Sequence, residues 1–281
     1  MSLFLRLLET PDKASALLSA VHCDGDNTFE VDPASFRQVP GAPFAYWVGE
    51  GVRATFKALP PLTDTVLACS GTGTLDDFRF LRCWWEIDSD ASWIPFAKGG
   101  AYAPIYFDHH LVVNWADDGA EMKAWIVVRY GGGHWTRNIR STEHYGRPGL
   151  TWPRRTQGGL SFRAMPASCI FADKGPAAFV AGDSFEELLC LLALANSRPF
   201  GLLVSLQMAF GSYEVGVIQR TPLPLIPAAV SQLLAGLGRR AWSLRRILDT
   251  VMETSHAFAI PALIRERCGL YDPVSFKAEL E

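Results

Sequence analysis

Between Gly131 and Val180 this chain has no room for a long helix. Glycines and prolines (Gly131 to Gly133, Gly146, Pro148, Gly149, Pro153, Gly158, Gly159, Pro166, Gly175 and Pro176) interrupt every apolar run. Runs that short fit strands, so the segment is predicted to fold as several hairpins. The same segment is locally cationic. From Arg129 to Arg163 it carries Arg129, Arg137, Arg140, Arg147, Arg154, Arg155 and Arg163 against a single acid, Glu143, with Tyr130, Trp135, Tyr145, Trp152 and Phe162 interleaved. The formal net charge of the whole chain is -3, so these cations sit on an acidic body. Two readings fit: one face built for a polyanion, with nucleic acid the leading candidate, or solvated hairpins whose arginine stems cover tryptophans.

Composition bounds the answer. The chain has 281 residues, of which 49% are hydrophobic and 12% aromatic. That fits one large domain or two modest ones with a real core, and argues against disorder. No apolar run reaches the roughly 18 residues of a membrane span. MSLFLRLLETPDK lacks a cleavage site, and Glu9 and Asp12 follow its apolar patch at once, so it does not read as a signal peptide. Cysteines 23, 69, 83, 169, 190 and 268 are scattered without a CxxC pair; they are expected to be reduced, mostly buried thiols of a cytoplasmic protein.

The coarse reading is α+β: a β-rich body over about 35–225 with flanking helices and a helical C-terminal arm. Residues 3–20 are expected to be helical with Pro11 at the start of a second helix, followed by a polar loop, HCDGDNTFEVDPAS. Phe44, Trp47, Val48, Val52 and Phe56 recur at helical spacing, which predicts an amphipathic helix from Pro43 to about Ala58. Strands are expected at Thr65–Ala68, Phe78–Ile87 and His110–Trp115, and a short helix running into a strand over Asp118–Val128. Ser184 with Glu187 forms a capping-box pattern, leading into apolar helices at Leu188–Ala195 and Phe200–Met208. From Ala228 to about Arg267 the chain reads as helix.

LACSGTGTLDDF (67–78) has the small residues of a turn that lets a backbone approach S-adenosylmethionine. A strand-like FRFLRCWWEI follows it instead of an amphipathic helix, and no [DNS]PP[YFW] motif lies downstream, so the turn reads as a tight loop beside the recognition surface. The histidines show no metal-ligand spacing with cysteines or carboxylates; His109-His110 is expected to begin a strand, and Asp117-Asp118-Gly119 to be a turn. Gly131-Gly132-Gly133 precedes no helix start, and neither a phosphate-loop nor a nucleophile-elbow pattern occurs. No catalytic, metal-binding or cofactor-binding residue is assigned.

The order of segments carries a resemblance. PGAPFAYWVGEGVR (40–53), SGTGTLDDFRFLRCWWEI (70–87), WIPFAKGG (93–100), LVVNWADDG (111–119), GLTWPRRTQGGLSFRAMPASCIFADKG (149–175), LLALANSRPFGLLVSLQ (191–207), VGVIQRTPLP (215–224) and WSLRRILDTVMETSHAF (242–258) stand in that order. Together they resemble the C-terminal portion of large adenine-specific DNA methyltransferases, of the PglX type of BREX phage-defence systems and their Type IIG restriction–modification relatives. In that family this region follows the methyltransferase domain and forms the target-recognition domain, with helical spacers after it. The resemblance implies sequence-specific recognition of double-stranded DNA as the specificity part of an adenine-N6 methyltransferase. The division it implies is a helical linker over 1–34, a target-recognition domain over 35–227 and a truncated spacer arm over 228–281. The catalytic domain, on which S-adenosylmethionine is expected to bind, is missing, which implies a natural fragment, a split-gene subunit or an excised piece that works with a methyltransferase subunit. Leu75 stands where relatives typically have glycine.

Physical reading and resemblance converge on DNA. Arg137, Arg140 and Arg147 are expected to hold phosphates. Thr151, Arg154, Arg155, Thr156, Gln157 and Ser161 lie where they reach base edges if the hairpin tip enters a groove. Arg163 closes that stretch, Gly158-Gly159 would let the backbone approach DNA, and Lys98 is a second loop contact. The competing reading makes Trp152 and Phe162 core aromatics, leaving only Arg154, Arg155 and Gln157 at the tip, and Lys98 an ordinary surface lysine. The alternative function is a protein-interaction module, in which the helices of Leu188–Met208 and the C-terminal arm dock onto a methyltransferase or defence-complex subunit.

Overall fold

A computed structural model gives the fold over residues 1–22, 27–88, 91–208, 211–261 and 264. The N-terminus departs from the expected helix. β1 (Ser2–Leu5) is a strand, and α1 (Lys13–His22) starts only after Asp12, whose carboxylate accepts from the amides of Ala14 and Ser15 at 3.1 Å each. β2 (Thr28–Val31) pairs antiparallel with β1 inside the stretch read as a polar loop, with Ser2 opposite Val31. The apolar residues that looked helical are instead strand residues with aromatic partners; Phe4 stacks on Tyr46 at 4.9 Å. The helix predicted from Pro43 begins seven residues later, as α2 (Glu50–Ala58). Buried Arg53 explains the delay: its guanidinium turns back to the carbonyls of Ala45 and Val48 and holds the preceding segment as a turn.

The body follows as β3 (Val66–Cys69), α3 (Asp77–Phe80), β4 (Leu81–Cys83), β5 (Trp93–Ala97), β6 (Leu111–Asn114), α4 (Ala116–Arg129), β7 (Gly149–Thr151), β8 (Arg163–Met165), β9 (Ile170–Phe171) and β10 (Ala177–Val180). The strands form two four-stranded sheets. One runs β3-β10-β7-β8 and is antiparallel throughout; the other runs β4-β6-β5-β9 and closes with a parallel β5–β9 pair. The expected strand over Phe78–Ile87 shrinks to β4. Asp76 caps the amide of Arg79 at 3.2 Å and forces one helical turn before it, and the Glu86 carboxylate takes the Cys83 amide at 2.7 Å and forces a 3-10 turn after it. α4 is helical to its end, without the expected change to strand. Its first turn is the Asp117-Asp118-Gly119 turn read from the sequence, with φ of 50°, 56° and 71°.

Helices α5 (Phe185–Ala195), α6 (Arg198–Leu206), α7 (Val215–Arg220) and α8 (Ala228–Leu248) complete an α+β chain. Ser184 caps α5 by accepting from Glu187 N at 3.3 Å. Leu188, Leu189, Leu191 and Leu192 of α5 join Leu150, Trp152, Phe162 and Val180 in the larger core, while Phe80, Val113, Met122, Ile126 and Ile170 form a second one. α8 lies on α5 so closely that a Cβ on Gly238 would stand 2.6 Å from the carbonyl oxygen of Leu189. The helix expected to reach Arg267 ends at Leu248. A 3-10 turn follows, Asp249–Val251, and Trp84 Nε1 then holds the carbonyl of Thr254 at 3.0 Å. The last residues of the expected helix, with Cys23 and Cys268, lie outside the described residues. Cys69, Cys83, Cys169 and Cys190 are free thiols. Among the described residues no single helix is long and apolar enough to cross a membrane.

Candidate nucleic-acid interface

β7 and β8 are the stem of a hairpin whose long loop is anchored from below. Trp152 and Phe162 are fully buried, their rings 4.9 Å apart. Trp152 Nε1 donates to the carbonyl of Tyr213 at 2.9 Å, and Asn196 fixes Phe162 by accepting from its amide at 3.0 Å and donating to its carbonyl at 2.9 Å. These aromatics are therefore core, and the polar residues between them form the tip. Arg155 and Gln157 are exposed there, with Arg155 Nε donating to Ser212 Oγ at 2.7 Å. Tyr102 covers Gly158 so closely that a Cβ would lie 2.4 Å from its ring, and the Tyr213 hydroxyl would stand 4.0 Å from a Cβ on Gly159. Burial pushes the Tyr213 hydroxyl pKa up, and the nearby Tyr102 adds to the effect. Gly158 thus admits an aromatic side chain of the protein itself, and Gly159 takes a left-handed φ of 99°.

Burial removes three expected contacts. Thr151 and Ser161 are 0% exposed and Arg163 is 1% exposed. Thr151 sits in register opposite Ala177 and Arg163, at the centre of the sheet. Ser161 Oγ accepts from Ala103 N at 3.4 Å. Arg163 points inward, donating to the carbonyls of Gly99 and Ala101 and lying 4.3 Å from the Phe107 ring centre. All three support the loop and cannot touch a duplex.

Three further cations are solvent-accessible but carry internal partners. Arg147 binds Asp183 at 2.7 Å and packs over Phe179; Arg154 binds Glu214 at 2.8 Å; Lys98 binds Asp77. Burial works against the Asp77 carboxylate, yet bonds from Lys98 and Thr74 hold its pKa below the usual range. Arg137 and Arg140 are exposed, Arg137 lying 5.9 Å from the Tyr130 ring centre and Arg140 donating to the Arg137 carbonyl at 3.1 Å.

A chain of contacts links these positions. Asn138, between Arg137 and Ile139, bonds the carbonyl of Gly73; Thr74 bonds Asp77, which holds Lys98. Gly99 abuts the Lys174 carbonyl, and that carbonyl accepts from Arg154 N at 3.0 Å. Asn138, Lys98 and Arg154 are thereby tied to one another through the protein, while Arg147 is held separately by Asp183. Tyr102, Ser212, Tyr213 and Asn138 each contact one of these segments, and the sequence patterns do not single them out. Only Gly158-Gly159 hinted at a close neighbour, and nothing local said it would be Tyr102.

The SGTGT turn does not fit a cofactor. A Cβ on Gly71 would stand 1.9 Å from the Phe171 carbonyl oxygen, Thr72 is fully buried and bridges to Ala172, and Gly73 abuts Asn138. The small residues admit neighbouring protein, and the space a nucleoside would need is filled by it. Among the described residues no group of three or more His, Cys, Asp or Glu side chains is placed to hold a metal ion.

No protein-family model matches the chain. It is, however, similar over most of its length to one part of adenine-specific methyltransferases. It is 26% identical over 276 residues to the adenine-specific methyltransferase BrxX of Escherichia coli O9:H4 (strain HS), covering 94% of this chain and 21% of that protein. It is 27% identical over 231 residues to the adenine-specific methyltransferase PglX of Lacticaseibacillus casei (strain Zhang), covering 75% of this chain and 19% of that protein. The chain spans about a fifth of the length of these curated relatives.

Proposed function

We propose that this chain recognises double-stranded DNA by sequence, as the specificity part of an adenine-N6 DNA methyltransferase of phage defence or restriction–modification. Catalysis and S-adenosylmethionine binding belong to a methyltransferase domain or subunit with which it works. The observation that carries the reading is the anchored hairpin tip: two fully buried aromatics and Asn196 hold a loop that presents Arg155 and Gln157 to solvent. A guanidinium and a carboxamide carried on an anchored loop suit paired hydrogen bonds to guanine and adenine edges. Arg137 and Arg140 serve as phosphate contacts. Arg147, Arg154 and Lys98 take part by exchanging an internal carboxylate for a phosphate. The division into a linker over 1–34, a recognition domain over 35–227 and a spacer arm from 228 is part of this proposal.

Electrophoretic mobility shifts on mixed-sequence duplexes at several salt concentrations test it. Arg137→Ala and Arg140→Ala should each weaken binding uniformly across sequences and lower the salt slope by about 1. Arg155→Ala and Gln157→Ala should relax sequence preference, measured by selection from a randomised duplex pool. No duplex binding at low salt would sink the proposal.

One observation favours the protein-docking alternative. α5 is core, but the outer face of α8 leaves Val230, Leu233 and Leu237 exposed at 43%, 63% and 54%. Tight complex formation with a methyltransferase subunit and no DNA affinity would decide for it.

A further inference from the structure

We propose that Phe78 is a wedge that inserts between base pairs of the bound duplex. The inference deepens the DNA-recognition reading and rests on it. Phe78 is 94% exposed, more than any other large apolar side chain among the described residues. A lone exposed apolar residue is ordinary; the backbone beneath this one is not. Asp76 caps the turn through Arg79 N, Asp77 is held by both Thr74 and Lys98, and Arg82 donates to the Phe78 carbonyl at 2.6 Å. Leu75, 46% exposed, is held beside it at φ 58°, a left-handed conformation that costs a leucine free energy. The fold therefore immobilises the main chain under a ring that it leaves in solvent.

Placement favours nucleic acid as the occupant. The tip lies five residues along the chain from Gly73, whose carbonyl accepts from Asn138, the neighbour of exposed Arg137. Cations balance the carboxylates around it: Lys98 pairs with Asp77, Arg79 with Glu121, and Arg82 bonds only carbonyls on the turn whose cap is Asp76. Phenylalanine and leucine are among the apolar side chains that unstack a base step when inserted into the minor groove of a duplex. Pyrimidine–purine steps yield most easily, so such a wedge adds sequence preference at positions that no side chain reads directly.

Permanganate footprinting of the full chain on a long mixed-sequence duplex tests this, because it reports unstacked thymines at every position at once. The parent chain should give hyperreactive thymines at TA or TG steps inside its footprint. Phe78→Ala should keep the footprint at saturating protein and keep the salt slope, since no charge is lost. It should bind about tenfold more weakly, as expected for a lost aromatic stack, and lose the hyperreactive thymines. Phe78→Trp should restore them. Protection without hyperreactivity in the parent, or the same hyperreactivity in Phe78→Ala, overturns the wedge and leaves DNA recognition standing. Loss of a protein partner in Phe78→Ala with an unchanged footprint overturns it in favour of protein docking. No footprint at low salt overturns DNA recognition itself, and the wedge with it.

Discussion

Replacing Arg163 should damage the fold and not a DNA contact. The residue is 1% exposed, and its guanidinium donates to the carbonyls of Gly99 and Ala101 while stacking 4.3 Å from the Phe107 ring centre. Burial alone pulls its pKa down to about 10 from 12.5, which sets about 3 kcal/mol against the charged form. Charge-assisted bonds to the buried Gly99 carbonyl and the part-buried Ala101 carbonyl contribute on the order of 1.5–3 kcal/mol each, and stacking away from water about 2 kcal/mol. Truncation to alanine forfeits roughly 5–8 kcal/mol and recovers the roughly 3 kcal/mol of desolvation, a net loss of about 2–5 kcal/mol before any cavity is counted. Arg163→Met keeps most of the volume but strands the buried Gly99 carbonyl, and should cost about 1–3 kcal/mol. Urea unfolding followed by tryptophan fluorescence measures both, with an unchanged slope as the check that only stability has moved. A residue that held DNA would behave in the opposite way, with parental stability and weaker binding. A methionine variant within about 0.5 kcal/mol of the parent refutes the reasoning.

Gly71→Ala should destabilise by about 2–3 kcal/mol or more, because the added methyl meets the Phe171 carbonyl oxygen at 1.9 Å and backbone cannot step aside cheaply; a thermal midpoint equal to the parent's would contradict it. Leu75→Gly should stabilise on the order of 0.5 kcal/mol, relief of the left-handed conformation being partly offset by glycine's entropy, and a fall in the urea midpoint would count against it. The His109 pKa is lowered to about 4 from 6.5, chiefly by burial and then by Arg163, against an opposing hydrogen bond with Ala164. The folded state therefore prefers the neutral ring. That contribution is intact above about pH 6.5 and is lost as pH falls towards 4, up to about 1.4 kcal/mol per pH unit and on the order of 3 kcal/mol in all. His109→Leu should flatten this acid limb in urea midpoints measured across that window, and identical limbs for both chains would rule the argument out.

Legibility of the fold followed the range of the interactions. The Ser184 cap, the Asp117-Asp118-Gly119 turn and the helices on either side of Asn196 are set by residues within four positions of each other, and they appear where the pattern placed them. Errors came where a distant group overruled local periodicity. Phe44 and Trp47 continue the helical spacing of α2, but the Arg53 guanidinium reaches back over that segment and takes two of its carbonyls. Leu3 and Leu5 read as helix until the strand at Thr28–Val31 is brought beside them. Arg53 acts across five and eight residues, more than one helical turn, and β2 acts across the whole of α1.

The same limit shaped the candidate site, with a measurable consequence. Counting arginines between Arg129 and Arg163 finds seven, but a guanidinium does not announce its partner. Asp183 is 36 positions from Arg147, Glu214 is 60 from Arg154, and Gly99 is 64 from Arg163. Those three arginines are committed inside the molecule, which leaves Arg129, Arg137, Arg140 and Arg155 exposed. Each phosphate neutralised contributes about -0.9 to the slope of log affinity against log salt on a duplex. With Arg163 buried, six contacts would give about -5.5, and four give about -3.5. A measured slope near the smaller value means the internal pairs persist on DNA. One near the larger value means Arg147 and Arg154 leave Asp183 and Glu214 when phosphate arrives, and then Asp183→Asn and Glu214→Gln should each tighten duplex binding without altering the slope.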